Sequence, residues 1–161
     1  MATQFIQLNE GWNAEPNAPE NEYAVEGAVF WLRFQHNGFQ VETERETGDM
    51  FLRFEGCHAF RFTSINDEGF YLGQCRFSRL APEWGEFYEI VGDFQEEKDP
   101  TPWQRVGASE GPFRNFLFYT RDEAVEVKAA TWDLLWDAPQ LDFVTSRTYA
   151  RTFPDDVMSH R

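Results

Sequence analysis

Val29-Phe-Trp-Leu-Arg-Phe34, followed by Gln35-His36-Asn37-Gly38 and then Phe39-Gln-Val41-Glu-Thr43, is the stretch that decides the fold class. In an extended chain, successive side chains point to opposite faces. Val29, Trp31 and Arg33 therefore share one face, and Phe30, Leu32 and Phe34 the other. Apolar groups on both faces predict a strand inside a sheet rather than at its edge. Asn37-Gly38 is the residue pair that tolerates the positive φ values of a type I′ turn, and Phe39 to Thr43 alternates cleanly, so the stretch predicts a hairpin.

The same period-two pattern spreads outward on both sides. After a turn at Thr47-Gly48-Asp49 come Met50 to Phe54 and then Cys57-His-Ala-Phe-Arg-Phe62-Thr63, with Phe70-Tyr71-Leu72 beyond the polar turn Asn66-Asp67-Glu68-Gly69. Glu86 to Val91 is another short strand, and Phe116 to Thr120 with Ala124 to Ala129 flank Arg121-Asp122-Glu123 as the clearest strand pair of the second half. Glu96 to Gly111, with Pro100 and Pro102, reads as a connector carrying at most one helical turn from Thr101. Thr131 to Trp136 either prolongs the preceding strand or opens a short helix. Residues 1–22 form an N-terminal strand (Phe5 to Leu8) and a loop containing Pro16 and Pro19, and residues 140–161 form a loosely docked tail. Seven to nine such strands at regular turn spacing predict a single-domain antiparallel β-sandwich or partly open barrel with little helix.

Composition supports one packed core. The 161 residues include 17 Phe, 6 Trp and 5 Tyr, and each buried aromatic removes about 150–250 Å² from water. Against this stand 28 acids and 14 bases, a formal charge of -14, which a chain so aromatic must carry on the outside of a folded body. That charge repels nucleic acid and anionic membrane surfaces. No apolar run reaches the roughly 18–20 residues of a membrane helix. Cys57 and Cys75 allow one bridge at most, and Met1-Ala-Thr-Gln-Phe5 lacks the regions of a secretion signal, so a reducing cytoplasm is the expected compartment.

Two segments carry a resemblance. Cys57-x-Ala59-Phe60-Arg61-Phe62-x-x-x-Asn66-Asp67-Glu68 and Phe116-x-Phe118-x-x-x-Asp122-x-x-x-Glu126-x-x-Ala129 resemble a set of small, uncharacterised bacterial β-rich proteins. The resemblance implies a shared fold and a bacterial type, and no activity. In those relatives a His commonly precedes the Asp and Ser-Thr follows it, whereas this chain has Arg121 and Glu123-Ala124; it also has Gly92-Asp93-Phe94 where they tend to have a polar stretch ending in Trp.

Asp67, Glu68, Asp122 and Glu126 are the carboxylates able to serve as a catalytic or ligand-binding group, since paired carboxylates divide acid and base roles when their surroundings separate their pKa values. Ordinary turn chemistry accounts for Asn66-Asp67 and Asp122, and Glu126, in parity with Ala124 and Lys128, is expected on a solvated face. No metal site is expected: Cys57 and His58 are neighbours in an extended segment and face opposite ways, and neither Cys75 nor His36 completes a ligand spacing. No cofactor is implied. The remaining signal is the acidic window from Glu83 to Asp99, where Glu83, Glu86, Glu89, Asp93, Glu96, Glu97 and Asp99 meet one base, Lys98, and interleave with Trp84, Phe87, Tyr88 and Phe94, with Trp103 just beyond. Acids around aromatic anchors suit a basic protein partner. The leading expectation is an acidic protein-binding module of immunity type that neutralises a basic partner. The alternatives are an enzyme or small-ligand binder using the clustered carboxylates, and a structural or regulatory subunit.

Overall fold

The computed structural model describes residues 3–16, 19–38, 48–64, 83, 85–92, 101–107, 110–120 and 123–146. Among them there are eleven strands and no helix: β1 (Gln4–Gln7), β2 (Glu22–Glu26), β3 (Val29–Gln35), β4 (Asp49–Glu55), β5 (Ala59–Ser64), β6 (Phe87–Val91), β7 (Gln104–Arg105), β8 (Arg114–Thr120), β9 (Glu123–Ala129), β10 (Thr131–Leu135) and β11 (Val144–Thr145). They form two antiparallel sheets. One has six strands in the order β1-β6-β8-β9-β5-β7, and the other five in the order β10-β4-β3-β2-β11. The sheets do not close into a barrel, so the architecture is a β-sandwich.

β3 occupies the centre of the five-stranded sheet, as apolar groups on both its faces predict. Its neighbours are β2 and β4. The predicted type I′ hairpin does not form on β3: its two sides are taken by β2 and β4, and neither Asn37 nor Gly38 has a positive φ. The Phe39–Thr43 segment itself, the predicted strand at Phe70–Leu72 and the Asp122 turn lie outside the described residues. Phe30, Phe34 and Phe54 from this sheet meet Phe60, Phe62, Phe87, Phe116 and Phe118 from the other, with Trp12 closing one side. Each buried Phe contributes roughly 1.5–3 kcal/mol, against about 0–1 kcal/mol for an exposed ion pair. The aromatic interlayer therefore dominates the stability.

The layers are stitched together at a shared corner. β4 continues into β5, and β9 into β10, each pair passing from one sheet to the other. Glu55 pairs with Thr131 on one side of the corner and Ala59 with Lys128 on the other, so residues 56–58 oppose only 129–130. One extra residue in one strand is a bulge, which bends the ribbon. Gly56 makes the bend possible: its φ is +63°, and a Cβ there would stand 2.9 Å from the Ala130 Cβ. Thr131–Leu135 is thus neither a prolongation of β9 within its sheet nor a helix.

Two further expectations change. Thr101–Trp103 has no helical turn; the segment leads into β7, and its Thr101 carbonyl accepts from Arg61. The tail is not loose as far as it is described. From Trp136 the chain crosses the outward face of the five-stranded sheet, laying Ala138, Leu141 and Phe143 over Ala24, Trp31 and Phe51, before β11 pairs with β2 at the far edge.

Candidate functional site

Glu126 sits opposite Arg61 in the β5–β9 ladder. Both are buried, at 4% and 1% exposure, which corrects the expected solvated face. The parity reading places Glu126 with Lys128 correctly, but the outward face of the six-stranded sheet is itself covered: Leu117, Tyr119, Tyr88 and Ile90 are buried on it too. The Arg61 guanidinium gives Nε to Glu126 Oε2 at 3.0 Å and Nη1 to the Thr101 carbonyl at 2.8 Å, with the Trp103 ring 4.3 Å away. Lys128 lies 4.3 Å from the centroid of the same ring. The described parts of the two segments Cys57–Glu68 and Phe116–Ala129 thus lie side by side, in β5 and the β8–β9 pair. Their phenylalanines fill the core, and the Arg of one neutralises the Glu of the other.

Asp67, Glu68 and Asp122, the other proposed carboxylates, lie outside the described residues. Glu123, which follows Asp122, is drawn into the fold. It begins β9 facing inward and is 5% exposed. Asn21 Nδ2 donates to it at 3.0 Å and Ser146 Oγ at 2.6 Å, while the Thr120 hydroxyl donates to its backbone carbonyl at 2.9 Å. Asn21 spans the gap by also donating to Thr120 Oγ1. This network ties the chain on either side of β2 and β11 to the opposite sheet. A signal was present: Glu123 has the parity of Val125 and Val127.

The described part of the acidic window divides by job. Glu83 is exposed, its backbone N–H donating to the Tyr88 phenol at 2.6 Å. Tyr88 is buried, and burial, reinforced by the negative charges of Glu83 and Glu86, raises its pKa against the lowering effect of that hydrogen bond. Glu86 accepts amide hydrogen bonds from Gln7, Asn9 and Asn13, anchoring the N-terminal segment beside β6. Glu89 pairs with Arg114 through both carboxylate oxygens, and this hydrogen bonding is the main cause that raises the Arg114 pKa. Trp103 is half-buried against Arg61 and Lys128. Trp84, Phe94, Glu96 and Glu97 lie outside the described residues.

The soft ligands are dispersed. Cys57 and His58 belong to the sheet-switching corner rather than to a strand. Cys57 is a free, buried thiol, pushed by burial up to about 12 despite a 3.6 Å hydrogen bond to the Ala59 carbonyl. His58 packs against Phe113, and His36 bonds through Nδ1 to the Gly48 carbonyl. Among the described residues no three His, Cys, Asp or Glu side chains gather as metal ligands. No described helix is long and apolar enough to cross a membrane.

Charge is sorted by exposure. Among the described residues the exposed acids are Glu10, Glu20, Glu26, Glu55, Glu83, Glu110, Asp133, Asp137 and Asp142, and the exposed base is Arg105. Arg33, Arg53, Arg61 and Arg114 are drawn into ion pairs with Glu22, Glu55 and Asp133, Glu126 and Glu89. No family model, no curated protein and no solved structure matches the chain.

Proposed function

We propose that this protein is an acidic binding module of the bacterial immunity type, which docks on a basic protein partner and neutralises it. The observation that carries the reading is the sorting of charge: nine exposed acids against one exposed base among the described residues. A surface of one sign raises the rate of encounter with an opposite charge, while desolvated side chains at the contact set its lifetime. Arg61 already neutralises the Glu126 carboxylate on the covered outward face of the six-stranded sheet, which engages it in the fold rather than in acid–base work. Glu86 and Glu89 are likewise engaged in holding the fold. The exposed acids outside these contacts, among them Glu10, Glu20, Glu26, Glu83, Glu110 and Asp142, can steer a partner.

An immunity protein is encoded beside the toxin it restrains, so the test is co-expression with the products of the adjacent reading frames. A basic neighbour should be toxic alone and tolerated with this chain, and the purified pair should associate more slowly as salt rises. A tolerated neighbour, or an association rate indifferent to salt, would overturn the reading.

A further inference from the structure

Among the described residues, β2 is paired along its whole length on one side only. Glu22–Glu26 align with β3 from Arg33 to Val29, whereas β11 covers Glu22 and Tyr23 alone. The chain leaves the edge just before β11: the Phe143 N–H bonds to the Leu141 carbonyl, and its ring turns onto Phe51 and Arg33. Among the described residues no strand pairs with Ala24, Val25 or Glu26 on that side. Because alternate residues of an antiparallel strand direct their N–H and C=O groups to opposite sides, at least one of these three presents its backbone groups to the open edge.

The side chains around the edge say what fits it. Val25 is 44% exposed and Val144 49%, and the register makes them diagonal neighbours on one face of the sheet. The other face carries Glu22 and Glu26. Glu20 and Asp142 stand exposed nearby, and residues 19–26 and 136–146 include no Lys or Arg. The edge of β1 offers a contrast: its side chains are Gln4, Phe5, Ile6 and Gln7, without charge.

We infer that the open edge of β2 at Ala24–Glu26 is a docking site for an extended segment of a basic partner, added as a strand whose apolar side chains meet Val25 and Val144 and whose Lys or Arg side chains meet the acids. The inference rests on the basic-partner reading and locates one of its contacts. Main-chain hydrogen bonds give such an added strand its affinity, and the alternating side chains give its specificity. The paired stretch is short, so charge carries much of the discrimination.

The probe is a synthetic peptide of alternating Lys and Val, compared with its Glu-Val counterpart, with hydrogen exchange followed residue by residue on the intact protein. The Lys-Val peptide should bind at low salt and slow exchange of an edge-facing amide among residues 24–26, and the Glu-Val peptide should not. Glu26→Lys combined with Asp142→Lys should weaken binding at least tenfold, and Val25→Lys likewise, with melting temperatures held because all three side chains are exposed. Binding that leaves residues 24–26 exchanging freely would overturn the docking site while leaving the basic-partner reading intact. Equal binding of both peptides, or no binding at low salt, would also overturn it. So would protection of the edge by self-association in the absence of peptide, which would assign the edge to a second copy of this chain.

Discussion

Arg61–Glu126 and Arg53–Asp133 are the same interaction in chemistry and in register, a guanidinium directly across an antiparallel ladder from a carboxylate, one in each sheet. Their side chains are 2% and 5% exposed in the first pair and 32% and 51% in the second. What differs is the layer outside. The outward face of the six-stranded sheet is buried across Tyr88, Leu117, Tyr119 and Glu126, while among the described residues the outward face of the five-stranded sheet is covered over Ala24, Trp31 and Phe51. The lesson is that strand parity assigns a side chain to a face but not to solvent. A carboxylate becomes part of the fold or part of the surface according to what covers its sheet.

Glu126→Ala breaks the comparison most sharply. It leaves Arg61 charged and without its carboxylate in the interior, and the expected loss is about 3–5 kcal/mol of unfolding free energy in a urea titration. Arg61→Met together with Glu126→Leu should recover most of it, because the desolvation cost leaves with the charges. A loss under about 1 kcal/mol for Glu126→Ala would mean that the pair behaves as an exposed one.

Ser146→Ala addresses the second inward carboxylate. Removing the hydroxyl that donates to Glu123 Oε2 should cost about 1–2 kcal/mol, accompanied by faster exchange in β11. An unchanged β11 would show that its two residue pairs and Phe143 hold the crossing segment without the hydroxyl.

The Cys57 thiol supplies a pH dependence. Its folded pKa of about 12 stands above the ordinary 9.0, so its contribution is fully present below pH 9 and is lost as pH rises toward 12. The folding equilibrium constant should fall by up to tenfold per pH unit across that window. Cys57→Ala should remove that share of the slope in alkaline melts. Parallel slopes in the two proteins would place the alkaline sensitivity elsewhere. Asp133→Asn, at the exposed pair, should change stability by less than about 1 kcal/mol. A larger effect would show that the Arg53 cluster with Glu55 and Asp133 acts cooperatively.

Much of the sandwich was legible because its strands alternate or carry apolar groups on both faces. β3, β4, β5, β6, β8 and β9 fall close to their expected positions. The exit into the other sheet at Ala130 was not, because a bulge leaves no periodic trace and Thr131–Leu135 continues an alternating run. The burial of Glu126 was half legible. Leu117 and Tyr119 stand on the opposite parity from Phe116 and Phe118, which already marks both faces of β8 as apolar. Arg121-Asp122-Glu123 is polar throughout and reads as a turn, which hides Glu123 at the start of β9 although it shares parity with Val125. The acidic window was legible as charge, yet Glu86 and Glu89 turned out to hold amides and an arginine, contacts between residues up to 79 positions apart that no local pattern encodes.

The central claim is that exposed acids, distinct from those built into the fold, recruit a basic partner. Its most direct test is the association rate with the basic product of an adjacent reading frame, measured from low to physiological salt, where the screening length contracts to about 8 Å. The wild type is compared with a variant carrying Glu10→Gln, Glu83→Gln and Glu110→Gln. The wild-type rate should fall steeply with salt, and the variant should start slower and vary less, with dissociation and melting temperature nearly unchanged. Superimposable rates for the two proteins at every salt concentration would contradict the account and leave the acidic surface a means of staying in solution.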